Sequence, residues 1–185
     1  MKRTFITLLT ILLGTTVFSQ VKTVKEENEK SQSKAETFSE KSGSLIQKQF
    51  IDVGKLKSCT IQVAIFTDLI TNQRTSAVRF EKEYRATYSS SSDDKIALLD
   101  GDELDALIKS LTLLKDKIYS TTPTDYTEIN FKSRSGFAAG CFYSKGKWSP
   151  YMKLEKFDGN SYVFLELNDT QPLIDLLIKA KNTLN

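Results

Sequence analysis

The chain has 185 residues, only two cysteines, no histidine and a formal charge of +3. Without an imidazole it can build neither a Ser-His-Asp or Cys-His nucleophile nor the common zinc sites, and two cysteines cannot make an all-thiolate tetrahedral centre. It also lacks a GxGxxG, a P-loop or any other glycine-rich phosphate cradle, so the sequence offers no catalytic constellation, no metal ligand set and no cofactor motif.

The first elements in chain order concern targeting. Lys2 and Arg3 precede an apolar run from Phe5 to Phe18, and small residues follow at Ser19. This is the pattern of a signal peptide over 1–19, cleaved between Ser19 and Gln20. The run is interrupted by threonines and is shorter than the roughly 20 residues a membrane span needs. The expectation is an exported protein, periplasmic or extracellular, of a Gram-negative bacterium, with no membrane span after cleavage. Without Lys2 and Arg3 the chain carries 24 basic and 23 acidic residues. That near-neutrality argues against nucleic acid as a partner, because phosphate recognition draws on a clear cationic surplus. Residues 20–44, rich in Lys, Glu and Ser, have little aliphatic periodicity and are expected to form a disordered or loosely helical tether.

One globular domain is expected over 45–185. Leu45–Val53 reads as an opening strand. Cys59, Ile61, Val63 and Ile65 then alternate with polar or small residues, as do Val78 and Phe80 with Arg79, Glu81 and Glu83; this is the signature of half-buried strands. A short strand KIALLD follows, with Asp102 as the N-cap of a helix on which Leu104, Leu107, Ile108, Leu111, Leu114 and Ile118 recur at helical spacing. The second half repeats this order. TEINFKS, GFAAGCFYS, YMKLEKF and YVFLELN read as strands, and Asn168 or Asp169 opens a final helix whose first turn tolerates Pro172. The fold class is therefore α+β: two ββββα-like repeats, about 45–120 and 124–185, each an antiparallel sheet with a C-terminal helix packed on one face.

The doubled order, with KIALLDGDELDALIK and YVFLELNDTQPLIDLLIK as last strand plus helix, looks like the Pur/Whirly type of single-stranded nucleic-acid binder. The resemblance implies a fold and carries no binding residue over. That family is intracellular with a basic binding face, and this chain is neutral.

Two residue groups remain as chemistry. Asp93 and Asp94, with Asp100, Asp102, Glu103 and Asp105, form acidic clusters that a hydrolase could use if they shared a cleft, or that serve helix capping and the helix dipole. Cys59 and Cys141 either bridge or remain two separate thiols. The most suggestive feature is aromatic. Alternation turns Tyr151, Tyr162 and Phe164 outward, and Tyr143 and Trp148 are expected to join them. Such a sheet face suits a glycan, a peptide or a partner protein, or else packs against the other repeat or a second copy in a homodimer. The expected function is a non-catalytic binding or interaction module. The alternatives are a carboxylate hydrolase and a purely structural envelope protein.

Overall fold

A computed structural model describes residues 32–85 and 92–184. The proposed signal peptide and the first part of the tether lie outside the described residues.

Eight strands form two four-stranded antiparallel sheets, each in sequential order and each followed by a helix. The first sheet contains β1 (Ile46–Leu56), β2 (Cys59–Asp68), β3 (Arg74–Arg85) and β4 (Ser92–Asp100). The second contains β5 (Thr127–Lys132), β6 (Ala138–Ser144), β7 (Lys147–Lys153) and β8 (Tyr162–Phe164). Before them comes a short helix α1 (Lys34–Ser39). Helix α2 (Gly101–Leu113), extended by a π-helical turn at Leu114–Ile118, follows the first sheet, and α3 (Thr170–Leu184) follows the second. The α+β class and the repeated order expected from periodicity are present. None of the described helices is long and apolar enough to cross a membrane.

One apolar core serves both halves. The inner face of the first sheet (Ile61, Val63, Val78, Phe80, Leu99) and that of the second (Ala139, Cys141, Met152, Val163) belong to a single buried cluster with Leu107 and Leu177 of the helices. Phe80 stacks on Phe137 across the junction, ring centroids 4.5 Å apart. Helices α2 and α3 pack on each other, α2 touches strands of both sheets, and α3 lies on β1, β2 and β3. The helix of the second repeat thus covers the sheet of the first. Lys179 Nζ fixes its far end by donating to the Val53 carbonyl at 2.7 Å.

Helix α1 corrects the expected tether. Ser33 and Glu36 form a reciprocal capping box. Ala35 is fully buried against Ala64, Phe66, Ala77 and Leu98, with Phe38 and Ile46 alongside. Those strand residues point away from the main core, so α1 roofs the outer face of the first sheet, and part of the expected tether, from Ser33 on, is packed against the domain.

The second sheet owes its register to a two-residue turn. Lys145 and Gly146 have φ of 52° and 79°, the left-handed pair that tight hairpins require and that glycine adopts without strain. The turn sets Ser144 opposite Lys147 and Tyr143 opposite Trp148. At Pro150 the ladder to β8 stops. The Pro150 carbonyl accepts from Leu165 N at 3.0 Å. In an antiparallel strand a residue's N–H points to the same side as its carbonyl, so the donor that would answer Leu165 is the one proline lacks. Pairing on β8 therefore ends at Phe164, and the chain turns away toward α3.

Gly140 marks the tightest approach in this sheet. A Cβ there would lie 2.2 Å from the Ile129 carbonyl oxygen, which only a backbone shift could relieve. Gly140→Ala is expected to cost roughly 3 kcal/mol, read as a lowered urea midpoint. An unchanged midpoint would show that β5 and β6 separate freely at this point.

Candidate functional site

Cross-strand partners share a face of a sheet, so the hairpin register decides which aromatics can meet a ligand. Met152 is buried in the core and pairs with Ala139. By alternation Cys141 and Tyr143 then also face inward, with Trp148 opposite Tyr143. Tyr143 and Trp148 pack edge to face at 5.2 Å within the core cluster, and the indole N–H donates to Thr121 O at 2.9 Å. The expectation that these two belong to the outer face is therefore corrected: β7 begins at Lys147, which puts Trp148 inside the ladder and not beside the turn.

Tyr151, Tyr162 and Phe164 do come together outside, and they are joined by two rings that alternation over single strands does not reveal, Phe142 and Tyr126. The five rings form one row across the sheet. Centroid separations are 6.3 Å from Tyr126 to Phe142, 6.3 Å to Tyr151, 5.4 Å to Tyr162 and 5.5 Å to Phe164. The ends are open, Tyr126 at 66% and Phe164 at 62% exposure, whereas Tyr151 in the middle is buried. The Tyr151 hydroxyl donates to Glu128 Oε1 at 2.8 Å. Burial first, and then this carboxylate, push the phenol above its usual range, so it stays a neutral donor. Lys153 Nζ lies over the Tyr162 ring, 4.8 Å from its centroid, an electrostatic attraction to the ring face.

Tyr151 and Tyr162 also line a groove of about 1050 Å³ whose floor includes Asn130 and Lys132. The β5–β6 loop around Arg134 and Gly136 makes one wall, and the β7–β8 loop from Leu154 to Asp158 makes another. Two lysines of the first sheet hold this second wall. Lys82 Nζ donates to Asn160 O at 2.8 Å and Tyr162 O at 2.7 Å. Lys95 binds Asp158 at 2.8 Å and also contacts Asp93. Its hydrogen bonds to Asp158 and Asp93 raise the Lys95 ammonium above its ordinary value and so keep it charged.

The acidic residues divide by position. Asp93 and Asp94 are exposed near the start of β4 and Asp100 is buried at its end, about 20 Å apart along an extended strand. A glycosidase pair needs its carboxyls within roughly 10 Å, so 93–94 and 100 do not form one. Asp100, Asp102 and Glu103 do cluster within 4.8 Å, but around a cation that the chain itself supplies. Arg134 Nη2 lies 2.8 Å from Asp100, 2.6 Å from Asp102 and 3.4 Å from Glu103. Asp100 occupies the N-cap position of α2 yet makes no side-chain cap there. Its carboxylate accepts from Lys34 N at 2.8 Å and Ala35 N at 3.1 Å, the first backbone donors of α1. Asp102 is not the helix cap expected from sequence. It lies in the first turn of α2, bound to Arg134 and to Lys34 Nζ at 2.8 Å, and these two cations hold its carboxyl well below the usual range.

Cys59 and Cys141 are both buried in the shared core, and in this structure both are free thiols. Burial pushes Cys59 up to about 12 and Cys141 up to about 11, so neither presents a thiolate at neutral pH. Among protein families, curated proteins and solved structures, no match to this chain is found.

A carboxylate whose folded pKa is depressed stabilises the fold above its unfolded pKa, and that contribution is lost as pH falls. The urea midpoint of the wild type should therefore drop on acidification below about pH 4. Arg134→Gln should cost about 2 kcal/mol at neutral pH, discounted for its partial exposure, and should flatten that acid limb; an equally steep limb would show that Arg134 does not carry it. Separately, a thiol reagent at about pH 8 should label neither cysteine in the native protein and both after unfolding without reductant. A loss of two protons in the intact mass would instead reveal a bridge.

Proposed function

We propose that this chain is an exported, non-catalytic binding module whose ligand surface is the outer face of the second sheet. One observation carries the reading. Five aromatic rings adjoin one another from Tyr126, just before β5, over β6 and β7 to β8, open at both ends, beside a preformed groove. The outer face of the first sheet has its own cover in α1, whereas the row on the second sheet has none among the described residues. Large exposed apolar patches on a folded chain mark contact sites more often than accidents, and here the middle of the row is held by a partly buried hydrogen bond. Export fits the charged, apolar, small-residue pattern at the N-terminus. The hydrolase alternative has less in its favour, because the carboxylates on β4 lie far apart and the clustered ones surround Arg134.

The test maps binding without assuming the ligand. Purified protein is titrated in turn with soluble peptidoglycan fragments, neutral oligosaccharides and tryptic peptides while amide NMR shifts are followed. At least one probe should move signals along the row. The double variant Tyr126→Ala/Phe164→Ala should abolish that response while changing stability by no more than about 0.5 kcal/mol, as expected for exposed positions. Shifts confined to the Arg134 cluster, or cleavage of a probe, would overturn the reading, as would no response to any of the three.

A further inference from the structure

Building on that reading, we infer that the groove beside Tyr151 and Tyr162 takes an uncharged glycan chain, with sugar C–H faces on the accessible rings of Tyr162 and Phe164 and hydroxyls on the polar floor. Three features select this class, beginning with charge. The groove's cations are Lys132, Arg134, Lys153 and Lys156, and its acids are Glu36, Glu128, Glu155 and Asp158, so the signs balance. Most are also occupied: Arg134 by its carboxylates, Asp158 by Lys95, Glu128 by the Tyr151 hydroxyl and Glu36 by the Ser33 N–H. Lys153 and Lys156 lie over the rings of Tyr162 and Phe157. Lys132 and Glu155 remain, and they are opposite in sign. A phosphate or polyuronate would find no surplus of positive charge here.

Direction is the second feature. From Tyr126 before β5 through Phe142 and Tyr151 to β8 the row crosses the strands, and only its last step, Tyr162 to Phe164, follows β8, so a ligand lying across it does not extend the sheet. Strand addition, the commonest way a sheet captures a peptide, uses main-chain groups at an edge. At the β8 edge Lys82 already occupies the carbonyls of Asn160 and Tyr162 and places a charged side chain where another strand would dock.

The third feature is amphipathy at ligand scale. Asn130, Ser133 and Ser135 line the groove together with Tyr151 and Tyr162; the two serine hydroxyls bond each other and Ser135 donates to the Leu98 carbonyl, which leaves their oxygens as acceptors beside ring surface. A pyranose is built the same way, with an apolar patch of axial C–H bonds bordered by hydroxyls. Tyr162, which is half-buried, can offer a ring face to such a ligand, whereas Tyr151 is buried with its hydroxyl on Glu128 and braces the row from within.

The experiment uses cellohexaose and chitohexaose as neutral probes, polygalacturonate as the anionic one and tryptic peptides as the third class, with the self-association of the protein measured by sedimentation. A neutral hexasaccharide should shift signals at Tyr151, Tyr162 and Phe164, with an affinity unchanged up to about 1 M salt, where charge pairing is screened. Phe164→Ala should weaken it about tenfold and Phe164→Tyr should restore it, a change of roughly 1.4 kcal/mol by the binding relation. Both are exposed-site variants, and circular dichroism checks that they remain folded. Shifts at the row produced only by polygalacturonate, by peptides or by a second copy of the chain would overturn the glycan assignment and leave the binding-module reading standing. No shift at the row with any of them would overturn both.

Discussion

Everything in this molecule follows from the sharing of one core between two sheets. Neither sheet has an apolar layer of its own to close against. Helix α2 contacts both, α3 lies on the first, and Phe80 and Phe137 meet between them. Once the inner faces are committed in this way, alternation along each strand dictates what is left outside. The first sheet presents Ala64, Phe66, Ala77 and Leu98, small or apolar enough to need a roof, and α1 supplies it. The second presents rings and charges, and no helix among the described residues covers it. The asymmetry between the two repeats thus shows in their outward residues, while the inward ones of both join a single buried cluster.

Arg134 is the polar counterpart of that core. Its guanidinium joins the β5–β6 loop to the start of α2, while Asp100 passes the connection on to the backbone of α1. Three segments distant in sequence are held by one planar cation, which suits arginine because its donors fan out in fixed directions. Carboxylates that look like a metal or acid–base site in a linear reading are the shell of an internal ion cluster. Lys82 and Lys95 act in the same sense at the far side of the groove, where they fix the loop that carries Tyr162 into place.

Much of this was legible in the sequence, and the failures have specific causes. The alternation over Cys59–Ile65 and Val78–Phe80 assigns the correct face because those strands are long and their outward residues are mostly polar. In β6 nearly every side chain is apolar or small, so alternation carries no sign, and Tyr143 could be placed on either face. The deciding signal lay in the Lys145–Gly146 turn: counting back from Met152 through that hairpin puts Tyr143 and Trp148 inside and Phe142 outside. Helix α1 was missed for a different reason. Six residues with one buried alanine leave no periodic trace, and the helix is held by tertiary contacts that composition does not report. The aspartates around α2 are visible as a cluster in the sequence, but their partners, Arg134 and the α1 backbone, are distant along the chain and could not be read locally.

The placement of α3 has a consequence for how the chain reaches this state. Because Pro150 ends the β8 ladder early, the last 15-residue helix leaves its own sheet and lies across β1, β2 and β3. The inner surface of the first sheet is therefore fully covered only once α3, which follows the second sheet, has docked on it. The two halves are coupled in folding, because the cover of one is carried by the other.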